Sequence, residues 1–262
     1  MGRVFAIISG KGGVGKSTLA TALAEYYASQ GKGVVLLDGD TGLRCVDLML
    51  GLQDRVVFDL GDVAEKKCEI DQALIAHPAL PGLRLLAAPQ MMSASDVKRK
   101  AMRRIVNEIS GQTDILLMDA PAGIGRGFKN TLGNLAEPVI IGTPDDVCIR
   151  DVERVAYVLT EMEEPRPVLV LNRVDRRLVH RGVMRAPLEI AKSLDIELVG
   201  IIPESQQVYR ALLRGEGALD SGDLQVVSAV EVIAARLPGA DAPLPEYRYS
   251  PILRFFNRRG EA

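Results

Sequence analysis

Cysteine is scarce in this sequence: Cys45, Cys68 and Cys148 are the only three in 262 residues, widely spaced and with no C-x-x-C pair. That number and spacing argue against a disulfide framework and against a zinc site, so the three read as reduced cytosolic thiols. No run of 18 apolar residues occurs, so no segment is expected to span a membrane as a helix. Met1-Gly2-Arg3 runs directly into an apolar strand, leaving no room for the parts of a signal peptide, and none is expected. A myristoylation motif is also broken, by Ala6 where Ser or Thr is wanted. The net charge is only −2, with a pI near 5.8, which gives no global pull toward nucleic acid. Any such binding needs a local patch. No internal repeat, low-complexity tract or linker is visible before about Pro238.

What is present is enough for one large α/β domain, with 47% hydrophobic residues to build its core. Short β-branched or leucine-rich runs alternate with helical patterns, as repeated βαβ units do in a parallel sheet. Strands are expected at Val4–Ser9, Val34–Asp38, Leu83–Ala87, Ile115–Asp119, Pro138–Gly142, Val168–Asn172 and Leu198–Ile201. A first helix is expected over about Lys16–Gln30, with Leu19, Leu23 and Tyr27 on its buried face and Gly31 just past its end.

The chain is organised around Gly10-Lys11-Gly12-Gly13-Val14-Gly15-Lys16-Ser17-Thr18, which fits G-x-x-x-x-G-K-[ST] between that first strand and first helix. The glycines let backbone amides wrap a polyphosphate, and the helix N-terminus adds partial positive charge. Lys16 is placed for the β and γ phosphates and the Ser17 hydroxyl for Mg2+. ATP or GTP is the expected ligand. In a doubly wound sheet, ligands bind beyond the carboxyl ends of the strands, so strand ends are the places to read. The second strand ends in Asp38-Gly39-Asp40 and the fourth in Asp119-Ala120-Pro121-Ala122-Gly123. Alone, the first of these is as readily a polar turn with an Asp cap. Beside a triphosphate, its two carboxylates can hold Mg2+ waters and orient an attacking water.

With Lys11 inside the loop, the sequence K-G-G-V-G-K-[ST] resembles the deviant Walker A ATPases, the ParA/MinD family. The resemblance implies an α/β P-loop NTPase: a mostly parallel twisted sheet with helices on both faces, binding ATP and Mg2+. It implies that Lys11 reaches across to the nucleotide of a facing subunit in an ATP-dependent homodimer. Asp38 and Asp119 then serve the metal with Ser17, Asp40 places the nucleophilic water, and the Gly123 N–H senses the γ phosphate. The stretch Asp38-Gly39-Asp40-Thr41-Gly42-Leu43-Arg44-Cys45-Val46-Asp47 is similar to the first switch of the MinD group, with Cys45 where that group has Asn. Thr143-Pro144-Asp145 corresponds to N-P-E, with Thr143 at the Asn position. Asn172, Arg173, Pro203 and Glu204 occupy the places that flank the adenine in relatives.

From Pro238 to about residue 250 the chain reads as a proline-rich tether after an ATPase domain of residues 1–237. Residues 251–262 are then expected to form a terminal amphipathic helix. Ile252, Leu253, Phe255 and Phe256 share one side, with Arg254 and Arg258 opposite. Such a segment either docks on its own core or lies in a membrane surface among anionic headgroups. It resembles the membrane-targeting tail of the MinD group. That resemblance implies a cytoplasmic ATPase, peripheral on the inner face of the cell membrane, that helps to place the division septum with MinC and MinE as partners. A DNA-riding, ParA-like ATPase is the alternative, supported by the basic cluster from Arg173 through Arg176, Arg177 and Arg181 to Arg185. An iron–sulfur role is disfavoured, because no cysteine directly follows the second switch at 119–128 and no paired-Cys motif is present.

Overall fold

The computed structural model describes residues 1–40, 45–89, 97–132 and 135–249. The expected terminal helix and Thr41–Arg44 of the first switch lie outside the described residues. Among the described residues eight strands form one sheet: β1 (Arg3–Ile8), β2 (Val34–Asp38), β3 (Leu74–Ala76), β4 (Leu83–Leu86), β5 (Ile115–Asp119), β6 (Glu137–Gly142), β7 (Val168–Val174) and β8 (Glu197–Pro203). Their order is β3-β4-β2-β5-β1-β6-β7-β8, and every pairing is parallel except β3 with β4.

The central strands read as continuous apolar runs because helices cover both faces of the sheet. Alternate residues serve opposite sides: Ala6, Val35, Leu116 and Met118 face one core, while Phe5, Leu36, Leu117 and Ile141 face the other. Among the described residues the helices of eight or more residues are α1 (Lys16–Ser29), α2 (Arg99–Ser110), α3 (Asp146–Glu161), α4 (Pro187–Leu194), α5 (Gln206–Leu213) and α6 (Leu224–Arg236). Met102, Ile105 and Ile109 of α2, Val152 and Val155 of α3 and Ile190 of α4 fill the first core. Leu19, Leu23 and Tyr27 of α1 fill the second with Val226, Val230 and Ile233 of α6, and the Tyr27 hydroxyl donates to the Ala234 carbonyl at 2.8 Å.

Helix α1 ends as its sequence predicts. Gly31 has φ 77°; its N–H meets the Ala28 carbonyl at 2.9 Å, and the Lys32 N–H meets Tyr27 at 3.1 Å. That pair of bonds satisfies two carbonyls of the last turn through a left-handed residue.

Two features differ from expectation. The three-residue β3 was not foreseen; it is a short, partly exposed antiparallel edge that follows directly on a helical turn at Ile70–Ala73. Strand β7 continues past Asn172 to Val174 through a bulge: Leu171 pairs with Ile201 and Val174 with Pro203. The bulge places Asn172 and Arg173 opposite a single β8 residue, and Arg173 takes φ 58°. After α6, residues 240–249 have no regular structure but are held to the body. Arg236 donates to the Ala242 carbonyl at 2.7 Å, Arg176 to the Glu246 carbonyl at 3.1 Å, and Leu244, Tyr247 and Tyr249 pack against the first core.

Candidate functional site

Strand order alone brings the predicted carboxylates together. In the parallel ladder Asp38 of β2 is the register partner of Asp119 of β5, and Asp119 is also paired with Ile7 of β1, just before the glycine-rich loop. Both carboxylates are almost fully buried, at 1% and 0% exposure. The loop delivers Lys16 to them at the first turn of α1. Its Nζ lies 2.6 Å from Asp119 Oδ1 and 3.5 Å from Asp40 Oδ2, while Ser17 Oγ donates to Asp119 Oδ2 at 2.6 Å.

Burial alone would lower the Lys16 pKa, but the Asp119 charge and hydrogen bond, with Asp40 and Asp38 behind, raise it overall. Lys16 is therefore held as the cation. Asp38 is pushed well above the usual carboxylate range, first by burial and then by Asp119. Its Oδ1 accepts the Asp40 N–H at 3.0 Å, and its buried Oδ2 has no hydrogen-bond partner. A buried carboxylate oxygen left over beside a second acid and a hydroxyl suits a divalent cation, which would offset the repulsion. Mg2+ takes few protein ligands and shares the rest of its shell with phosphate and water. Ser17, Asp38 and Asp119 thus fit the metal side predicted for them.

The loop itself fits a polyphosphate. Gly15 has φ 98°, and a Cβ there would fall 2.3 Å from Asn172 Nδ2, so both backbone and space demand glycine. Nothing lies within 4 Å of a Cβ built at Gly12 or Gly13, which leaves that part of the backbone open to a ligand. The Gly123 N–H, expected to sense the γ phosphate, donates to the Ser9 carbonyl at 2.9 Å in this structure. The second switch is thereby tied to the last residue before the loop.

Lys11, expected to act across a dimer, points within its own chain to Asp145 Oδ1 at 3.4 Å. Burial works to raise the Asp145 pKa, but the Thr143 hydroxyl, the Cys148 amide and Lys11 together hold it below the usual range. Sequence reasoning placed Thr143-Pro144-Asp145 in a motif without seeing that Asp145 both caps α3, through Cys148 N at 2.9 Å, and receives Lys11. Cys45 lies against the Ser17 hydroxyl, with burial pushing its thiol pKa up.

The predicted base residues do converge. Asn172, Arg173, Pro203 and Glu204 line a cavity of about 640 Å3 with Gly15 and Thr18. The Asn172 amide is used locally, donating to the Val14 carbonyl at 2.8 Å and accepting from Arg173 N at 2.8 Å. It ties the β7 bulge to the loop. Sequence reasoning missed the apolar wall supplied by Val208 and Leu212 of α5. Its signal was an amphipathic helix directly after Pro203-Glu204.

Comparison with known proteins identifies the family. Residues 5–219 match the family described as the CobQ/CobB/MinD/ParA nucleotide binding domain. The septum site-determining protein MinD of Synechocystis is 35% identical over 262 residues, covering 99% of this chain and 98% of its own length. The Bacillus subtilis MinD is 35% identical over 93% of this chain and 92% of its own. The chain belongs to the MinD family. A solved MinC:MinD cell division protein complex from Aquifex aeolicus contains a chain that superposes with a TM-score of 0.84 at 34% identity. That superposition covers 94% of this chain and 99% of that one. As a MinD-family protein the chain is a P-loop ATPase, and the expected fold, a mostly parallel sheet with helices on both faces, is the one observed.

Proposed function

We infer that this MinD-family ATPase dimerises with Mg-ATP, docks on the inner face of the cell membrane through residues 251–262, and helps to place the division septum. A MinC-type inhibitor is the inferred partner, in keeping with the Aquifex aeolicus complex, and a MinE-type stimulator follows from the same family. The observation that carries the reading is the convergence of Lys16, Ser17, Asp38, Asp40 and Asp119 at one end of the glycine loop. Phosphoryl transfer needs mainly positioning and charge compensation, and this cluster supplies both.

Mg2+, when bound, supplies positive charge to the phosphates, held by Ser17 with Asp38 and Asp119 behind. Lys16 exchanges its bond to Asp119 for phosphate oxygens. Asp40, less buried than the other two acids, is left to orient the attacking water. Gly123 gives up the Ser9 carbonyl when its N–H turns to the γ phosphate, which couples the second switch to nucleotide state. Lys11 leaves Asp145 to reach a facing subunit.

Among the described residues no helix is long and apolar enough to cross a membrane. The inferred contact is instead the peripheral one carried by the tail sequence. One short amphipathic tail binds marginally, because ordering it costs about 1–2 kcal/mol per residue against partial burial of four apolar side chains. Two tails joined in a dimer gain about 10²–10⁴ in avidity. ATP thereby controls membrane residence. Co-sedimentation with anionic vesicles tests this, using the full chain and one ending at Tyr249. Pelleting in ATP but not ADP, and only with the tail, is the expected result; a full chain that stays soluble in both nucleotides overturns the membrane assignment.

A further inference from the structure

The basic cluster seen in the sequence is exposed, and beyond Arg173, which lines the cavity described above, the nucleotide site does not use it. Asp175 caps a short helix, Arg176–His180, by accepting from Arg177 N at 2.7 Å and Leu178 N at 3.2 Å. The chain then turns through Gly182 into α4. Residues 173–188 carry five arginines against one acid, Asp175, in a protein whose net charge is −2. Arg173, Arg176, Arg177, Arg181 and Arg185 are all exposed. Two aliphatic side chains stand out among them, Val183 at 73% and Leu188 at 61% exposure.

The same face is where the tail leaves the body. Arg176 holds the strap from two sides, donating to the Glu246 carbonyl and lying 5.8 Å from the centre of the Tyr247 ring. The Tyr249 hydroxyl accepts from Ala186 N at 3.0 Å and donates to Glu189. Tyr249, the last described residue, is thus anchored at Ala186, which lies between Val183 and Leu188 in sequence. Arg248 adds a further cation, paired with Glu246; Glu189 and Glu204 are the other acids at this edge.

We propose that this arginine face, with Val183 and Leu188 as its apolar points, lies on the anionic headgroup layer beside the tail, so that the body of the protein as well as its terminus contacts the membrane. The proposal rests on the membrane reading given above and adds a second contact to it. Arginines over aliphatic side chains suit a headgroup boundary, where the charge meets lipid phosphate and the apolar tips reach the acyl edge. A nucleic acid backbone offers phosphates but no use for exposed valine and leucine. The strap fixes the distance: a tail inserted in the bilayer draws this face onto the surface. The face also orients the protein and makes its residence depend on anionic lipid.

The test uses the full chain with ATP and vesicles of phosphatidylcholine with increasing phosphatidylglycerol. R177E/R181E spares Arg176, which holds the strap. It is expected to lower vesicle partition at least tenfold, equivalent to about 1.4 kcal/mol, and to flatten the dependence on phosphatidylglycerol. Vesicle-free ATPase activity stays unchanged. V183S/L188S is expected to lower partition severalfold without flattening that dependence. R99E/R103E on α2, which makes the same change in net charge, is expected to bind as the parent does. Parental partition by R177E/R181E, while the chain ending at Tyr249 loses binding, overturns the proposal but leaves the tail reading intact. An equal loss in R99E/R103E also overturns it, by reducing the effect to overall charge. A full chain that never pellets removes both readings. If R177E/R181E abolishes salt-sensitive retention of duplex DNA and leaves vesicle partition untouched, the face belongs to nucleic acid.

Discussion

Lys16 and Asp119 form a buried ion pair, 2.6 Å between Nζ and Oδ1, with the side chains 6% and 0% exposed. The pair joins the first turn of α1 to the end of β5, so the lysine proposed to bind phosphate also neutralises the acidic floor beneath it. Truncation of Lys16 then has two effects. Lys16→Ala should abolish ATP retention by calorimetry and also lower the nucleotide-free melting temperature, because two buried carboxylates lose their counter-charge. Loss of one partner of a buried pair costs about 3–5 kcal/mol. Adding Asp119→Asn should restore much of the melting temperature but none of the ATP binding. Undiminished ATP binding by Lys16→Ala would refute the assignment.

Asp40 is separable from this floor. Its side chain is 32% exposed, and its contact with Lys16 is long, at 3.5 Å. Asp40→Ala should therefore fold, bind ATP and dimerise with near-parental affinity, while single-turnover hydrolysis falls by about 10²-fold or more, as expected for loss of a water-positioning group. Parental turnover in this variant assigns the water to another residue.

The Lys11–Asp145 contact is partly solvated, with side chains 35% and 52% exposed, and such pairs contribute about 0–1 kcal/mol. Lys11→Ala should leave the melting temperature within about 2 °C of the parent and bind ATP, yet remain monomeric by light scattering with ATP. Asp145→Asn frees the lysine and keeps the cap acceptor on α3, so it should dimerise at lower ATP concentration than the parent. An ATP-dependent dimer of Lys11→Ala rules out a trans lysine.

These assignments differ in how far they could be read in advance. The placement of Asp38 and Asp119 at neighbouring strand ends was legible because central parallel strands are unbroken apolar runs, so a carboxylate closing one stands out. The loop was legible because its glycines answer to local backbone need. Strand β3 was hidden: Leu74–Ala76 is too short for a period and adjoins a helical turn. The β7 bulge was hidden as well, since Asn172-Arg173 contains neither Gly nor Pro to signal it. Lys11 and Asp145 are 134 residues apart, and Arg176 and Glu246 are 70 apart. Tertiary packing alone makes such pairs, and the strap at 240–249 accordingly read as a loose tether although the body holds it at several points.

Glu25 of α1 shows a different kind of hidden feature, a half-buried acid outside the site. Its Oε2 is buried without a hydrogen-bond partner, and it faces Gly217, where a Cβ would come within 3.1 Å of that oxygen. Burial, helped by the nearby Asp220, pushes its pKa up from 4.5 to about 7. A carboxyl whose folded pKa exceeds its unfolded one favours the fold in its neutral form. That contribution is complete below about pH 4.5 and is lost as the pH rises through about 7. Glu25→Gln keeps the shape and stays neutral throughout. The variant should match the parent near pH 5 and exceed it at pH 8 by about 1–3 kcal/mol, the upper figure being reduced because the residue is only partly buried. Thermal melts at the two pH values decide this: a gain of equal size at both would mean that Glu25 acts through packing rather than charge.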